Sequence, residues 1–231
     1  MGWLQPLPAA PPVDRRALLV DAARGRRVVH LGFTDERQQQ AKQAGDRWLH
    51  AALERVAAEL VGLDVDAPGV ELARAQGYEA QVVDLQDAAA VDALGLAPAD
   101  LIVAGEIIEH VDAPGPFLRA VRPLLKPDGR LVVTTPNAYR AAGVLAPLLG
   151  GELIHPDHVG IHSIHTLRTL AERTGYRVVE LGYYQNTPAI AGRSPAAVAV
   201  RMLRAAHTRL ARRLPHWSDG IYAVLEPGRD A

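Results

Sequence analysis

The sequence predicts a doubly wound α/β fold, a mostly parallel sheet with helices on both faces. Three observations predict it. Short β-branched apolar runs alternate with helical stretches, which is how a parallel sheet with crossover helices is written along a chain. The first run, Val28-Val29-His30-Leu31, ends at Gly32. The second, Val61-Gly62-Leu63, follows one helix length later and ends in the carboxylate of Asp64. A strand, a glycine turn, a helix and a second strand closed by an acid is the arrangement that grips an adenosine, the acid accepting hydrogen bonds from the ribose hydroxyls.

Prolines at 6, 8, 11 and 12 prevent the first dozen residues from forming a helix and predict an arm. Val13 to Arg24 then reads as a short helix stopped by Gly25. Strand 28–31 is followed by a helical region, 35–60, in which Trp48, Leu49, Leu53, Val56 and Leu60 fall at helical spacing and Gln38, Gln39, Gln40 and Lys42 are polar; Gly45 is a candidate break. Next come strand 61–65, helix 67–76, strand 80–84, a short acidic, alanine-rich helix, strand 100–104, helix 116–125 and strand 130–135. An apolar stretch, 141–149, ends at Gly150-Gly151 and precedes His155-Pro156-Asp157-His158; helix 165–174 follows, with Gly175 as its C-cap. Strand signals at 176–184 and 220–226 flank an alanine- and arginine-rich excursion and imply an antiparallel hairpin at the sheet edge. The expected organisation is an arm and helix over 1–25 and one domain over 26–231, with a lid at 138–164 and an Arg-rich helical insert at 186–217.

With 231 residues, 48% hydrophobic and 22% charged, the chain can bury a core without staples, and its lack of cysteine excludes disulfides and thiolate metal sites. No run of about eighteen apolar residues is present to span a bilayer, and Met1-Gly2-Trp3-Leu4 lacks the start of a signal peptide, so a cytoplasmic location is expected. A net charge of −1 supplies no general field for nucleic acid, and no nucleic-acid partner is expected. In the insert, Val200, Leu203, Leu210 and Leu214 approximate a stripe beside Arg201, Arg204, Arg209, Arg212 and Arg213. That pattern fits a helix packed on the domain with a solvated basic face, and leaves a homodimer contact or an anionic surface open.

Taken together, the runs over 26–226, and above all AGEIIEHVDAPGPFLRAVRPLLKPDGRLVVTTPN from Ala104 to Asn137, resemble the class I S-adenosylmethionine-dependent methyltransferases, in particular the small-molecule O-methyltransferases of ubiquinone biosynthesis. The resemblance implies a Rossmann-like sheet of seven strands, order 3-2-1-4-5-7-6 with the last strand antiparallel, and S-adenosyl-L-methionine as cofactor. It implies a cofactor edge made of Gly32, Phe33, Thr34, Asp64, Val65, Asp84, Leu85 and Glu106. Gly32 would let the backbone turn beneath the methionine portion. Asp64 would take the ribose, Asp84 the adenine amino group with Leu85 beside the ring, and Glu106 would stand at the carboxyl edge of the sheet.

One stretch departs from the family pattern of an acid followed by Gly-x-Gly-x-Gly: the chain reads His30-Leu31-Gly32-Phe33-Thr34-Asp35-Glu36. The absent glycines argue against a dinucleotide, whose pyrophosphate needs them. Thr34 and Asp35 are candidates to bond the methionine ammonium or to cap the next helix. Methyl transfer to a hydroxyl needs an aligned acceptor and a proton acceptor, a role suited to histidine. His158, or failing it His110, is the expected catalytic base, without a metal; His155 and His162 read as turn and cap residues. The acceptor is expected to be a small hydroxylated or carboxylated metabolite or a sugar. Two alternatives remain. The eroded glycine motif also fits a catalytically impaired methyltransferase-like binding or scaffold protein. Glu106, Glu109, His110 and His158 also resemble the ligands of metal-dependent small-RNA 2′-O-methyltransferases. Glu106-Ile107-Ile108-Glu109 argues against the base methyltransferases that carry Asn-Pro-Pro-Tyr there.

Overall fold

The structure is a computed structural model that describes residues 4–34, 48–186, 192 and 194–228. The expected first half of the 35–60 helical region, including Asp35, Glu36 and Gly45, lies outside the described residues apart from its end at Trp48.

Eight strands form one sheet: β1 (Val13–Asp14), β2 (Arg27–Leu31), β3 (Glu59–Asp64), β4 (Ala80–Val82), β5 (Ala99–Gly105), β6 (Leu125–Pro136), β7 (Tyr176–Gln185) and β8 (Gly220–Pro227). Their order is β1-β7-β8-β6-β5-β2-β3-β4. The sheet therefore has eight strands rather than the expected seven, and its order differs by the strand added at one edge. Val13 and Asp14 had been assigned to a helix. Instead they pair in parallel with Tyr184 and Gln185. The physical reason is the proline arm, which delivers this dipeptide extended to the edge of β7. Asp14 then caps the helix that follows, its Oδ1 accepting from the backbone N–H of Ala17 at 2.8 Å. β8 runs antiparallel to both β6 and β7, and the remaining adjacent pairs are parallel.

The helices are α1 (Arg15–Ala23), α2 (Leu49–Glu54), α3 (Ala67–Ala75), α4 (Ala88–Asp92), α5 (Pro114–Val121), α6 (Ala141–Leu145), α7 (Ile164–Arg173) and α8 (Pro195–Arg213). Successive strand residues face opposite sides, and this splits the core. Val29 and Leu31 pack with Phe117, Leu118 and Leu167 from α5 and α7, whereas Val28 packs with Leu19, Ala23 and Leu53 from α1 and α2. Ser163 closes a capping box at the start of α7: its side chain accepts from Thr166 N–H, and Thr166 Oγ1 accepts from Ser163 N–H at 2.8 Å. Because β2, β3, β5 and β6 are parallel, the residues that follow them gather at one edge of the sheet, where ligands of open α/β folds bind. Among the described residues no helix is long and apolar enough to cross a membrane.

Candidate active site

Gly32 follows β2 with φ +60°, and a Cβ there would stand 2.7 Å from Ile107 Cδ1. Both the left-handed backbone and the close approach require glycine at this position. Beyond it the chain packs inward. Phe33 is buried, and its carbonyl accepts from Trp48 Nε1 at 2.9 Å. Its ring lies 4.5 Å from that of His50, so it belongs to an aromatic cluster with Trp48 and Tyr78 beneath the edge. Thr34 is also buried; its backbone N–H and its hydroxyl both donate to Asp64 Oδ2, each at 3.0 Å. Asp64 Oδ1 accepts from Asp66 N–H at 3.0 Å. A carboxylate offers about four lone-pair sites, so most of the Asp64 capacity is already engaged.

Thr34 fits because helix α3 presents Gly69 opposite it: a Cβ on Gly69 would come within 2.7 Å of Thr34 Cβ. In the same way a Cβ on Gly62 would meet Phe33 at 2.8 Å and His50 at 2.9 Å. Thr34, which replaces one of the motif's later glycines, is thus received by Gly69 in α3, as Phe33 is by Gly62 in β3. Val65 is 70% exposed beside Asp64, open to a ligand. Asp84 is exposed, and its Oδ1 accepts from Gln86 N–H at 2.9 Å in a tight turn. Leu85 is buried in the main core cluster.

Glu106 follows β5 with φ +56°, an uncommon conformation for a residue bearing a Cβ. Such a backbone persists only where its surroundings hold it. Tyr184 donates to Glu106 Oε1 at 2.5 Å and Arg15 lies 3.7 Å from Oε2, while Arg15 Nε also donates to Thr134 Oγ1 at 3.0 Å. Tyr184 and Arg15 were not found by sequence reasoning, since β7 and the N-terminal helix carry no local signal that they meet Glu106.

Glu109 is buried, and burial raises its carboxyl to about 7. Thr135 donates to its Oε2 at 2.9 Å, whereas Oε1 has no partner. Its carbonyl accepts from the N–H groups of Val159 at 2.9 Å and Gly160 at 3.1 Å, which joins the loop after β5 to the loop before α7. That join brings the histidines together. The rings of His110 and His158 meet edge to face at 4.6 Å, with His155 at 5.9 Å from His110 and 5.4 Å from His158. Desolvation, reinforced by His110, His155 and Arg140, holds His158 below the ordinary imidazole range. Glu109, His110 and His158 each direct a ligand atom into one space, all within 4.8 Å of one another. His162 is buried apart from this group and pairs through its backbone with Asn137. The Asn137 side chain donates to the carbonyls of His216 at 2.8 Å and Ser218 at 3.2 Å, tying the start of the lid to the approach to β8.

The family of methyltransferase domains matches residues 44–181. The chain belongs to this methyltransferase-domain family. A ubiquinone biosynthesis O-methyltransferase of Xylella fastidiosa is 37% identical over 113 residues, covering 48% of this chain and 46% of the relative. One of Xanthomonas oryzae is 32% identical over 158 residues, covering 66% and 61%. The chain therefore spans less than two thirds of the length of these curated relatives. Among solved structures, a SAM-dependent methyltransferase from Archaeoglobus fulgidus has a TM-score of 0.56 at 16% identity, covering 92% of this chain and 94% of that one. That likeness shows the fold.

Proposed function

We propose that this methyltransferase transfers the sulfonium methyl group to an oxygen of a small molecule, a hydroxylated or carboxylated metabolite or a sugar. The observation that carries the reading is the convergence of His110 and His158 at 4.6 Å beside the partnerless Oε1 of Glu109. For a hydroxyl acceptor, the O–CH3 bond forms as the S–CH3 bond breaks, S-adenosylhomocysteine leaves neutral, and the hydroxyl proton passes to a base. A neutral imidazole suits that task, and the environment of His158 favours the neutral form. In this reading His158 takes the proton, with His110 as the substitute, and the lid segment 141–149 closes over the acceptor. Gly32, Thr34, Asp64, Val65, Asp84 and Glu106 line the cofactor edge. The O-methyltransferase names of the relatives support an oxygen acceptor.

A screen for S-adenosylhomocysteine release across phenols, sugars and carboxylates identifies the acceptor class. Cofactor binding with no release from any class would favour a binding module. His158→Ala should lower turnover by about 10²–10⁴, measured at saturating cofactor; a loss below about tenfold removes His158 from the role. A second reading is favoured by the same cluster. One carboxylate and two imidazoles fit a divalent cation, which when bound would polarise an acceptor hydroxyl. The residues that would hold it are Glu109, His110 and His158. Loss of turnover on chelation, restored by magnesium or manganese, would support this reading and move the acceptor toward a terminal ribose.

A further inference from the structure

Helix α8 carries a face that the domain does not use. Its inner side is fixed: Arg204 pairs with Asp219 at 3.2 Å, His207 bonds Gln185 at 3.0 Å and the Trp217 carbonyl at 3.1 Å, and Ala211 is buried. The other side is open. Met202 is 68% exposed and Leu203 71%, and at 100° per residue Ala199, Leu203, Ala206 and Leu210 form one stripe. Arg209 and Arg213 flank it, Arg212 projects farther round the helix, and none of the three makes an ion pair among the described residues. The helix holds five arginines and no acidic residue, although the whole chain has a net charge of −1. A local excess of positive charge beside an apolar stripe, on a helix already anchored through its third side, is the make-up of a segment that lies in a lipid interface.

We infer that α8 docks this methyltransferase on an anionic lipid surface, with Leu203 and Leu210 entering the acyl boundary, Arg209 and Arg213 meeting the headgroups, and Arg212 adding to the local positive field. A second copy of the chain is a poorer occupant, because self-pairing of the helix would set arginines against arginines with no carboxylate between them. Nucleic acid is poorer too, since the centre of the exposed face is aliphatic and carries no aromatic ring for a base to stack on. Placement adds a consequence. α8 lies between the end of β7 and the start of β8, so it leaves the sheet at the same edge as the lid after β6, where Leu149 is 90% exposed. Docking by α8 would turn the acceptor edge toward the bilayer.

Co-sedimentation of the full chain with vesicles tests this. Phosphatidylglycerol vesicles should bind it and phosphatidylcholine vesicles should bind at least about tenfold less, with binding weakened by salt as headgroup attraction is screened. Arg209→Glu/Arg212→Glu/Arg213→Glu and Leu203→Glu should each lower binding by about tenfold or more, while the triple arginine-to-lysine variant retains it. Cofactor affinity by calorimetry should stay at the wild-type level in all of them, which shows that the domain is folded. Wild-type vesicle binding by the glutamate variants would overturn the inference. An α8-dependent dimer in sedimentation equilibrium, or binding to an RNA oligonucleotide as tight as to phosphatidylglycerol, would overturn it as well.

Discussion

At the edge proposed for the cofactor nearly every polar group has a mate. Asp64 accepts three hydrogen bonds, Thr34 spends both its N–H and its hydroxyl on that carboxylate, and Trp48 bonds the Phe33 carbonyl. At the edge proposed for the acceptor, across β5, the pattern reverses. Glu109 keeps a buried oxygen without a partner, His110 and His158 make no side-chain hydrogen bond among the described residues, and Glu106 is held in a left-handed backbone. A buried orphan and a strained residue each cost free energy, and such costs collect where groups are kept for a ligand rather than for the fold. The loop side has been repacked around its divergent residues, with His50 Nε2 the buried side-chain atom left without a partner there among the described residues. The acceptor side is held open.

The sharpest way to break this contrast is Asp64→Ala. It removes the proposed ribose acceptor and also leaves the buried Thr34 N–H without a partner. Hydrogen bonds to a charged group contribute about 1.5–3 kcal/mol each, so calorimetric affinity for S-adenosylmethionine should fall by about 100-fold or more. Asp64→Asn, which keeps the shape and one acceptor oxygen, should lose less. Equal affinity in the alanine variant would mean that Asp64 serves only to hold Thr34.

Much of the frame was legible in the residues, because alternating apolar runs and glycine stops report directly on strands and helix ends; β2 begins one residue before, and α3 ends one residue before, the expected bounds. Boundaries slipped where tertiary pairing took over from local pattern. β3 begins at Glu59, inside the expected helical region, because Arg27 and Glu59 register across the first strand pair. The Val13–Asp14 strand was not legible, since a dipeptide has no periodicity and acquires its structure only from the edge of β7. At the site, the loop histidines and the two glutamates could be read from their spacing. The mates of Glu106 could not, because Tyr184 and Arg15 are 78 and about 90 residues away along the chain. Phe33 and Leu85, expected at the cofactor, have side chains buried in aromatic and aliphatic clusters, which only the strand pleat decides.

The exchange of glycines between loop and helix can be tested by a cycle. Gly69→Ala sets a Cβ 2.7 Å from Thr34 Cβ, and overpacking of this kind costs about 1–3 kcal/mol, partly offset by the better helix propensity of alanine. The urea midpoint should fall. Thr34→Gly removes the Thr34 part of the obstruction and leaves Asp66 Oδ2, which a Cβ at 69 would also meet, so the double variant should recover part of the loss, with a favourable coupling of about 1 kcal/mol. Additive losses would mean that the two positions do not compensate one another.

The smallest expected effect separates the two edges by their titration. His30 and His50 are buried with Nδ1 atoms 3.2 Å apart, so one imidazole must donate and the other accept, and both must stay neutral. Burial depresses both, His50 to about 3 and His30 well below 6.5, with mutual repulsion and Arg15 adding to the effect on His30. Their unfolded forms take up protons first as the solution is acidified. The stability they permit is therefore complete above about pH 6.5 and declines below it, by about 1 kcal/mol per histidine per pH unit. Glu109 has the opposite sign. Its folded carboxyl is raised from 4.5 to about 7, so the folded state binds the proton first and gains stability as pH falls from about 7 toward 4.5. Urea midpoints between about pH 5 and 8 should show these slopes in partial cancellation. His50→Phe should leave His30 and Glu109 nearly cancelling and so flatten the profile, and Glu109→Gln should steepen the fall toward acid that belongs to the two histidines. A wild-type profile in both variants would show that neither edge carries the titration assigned to it.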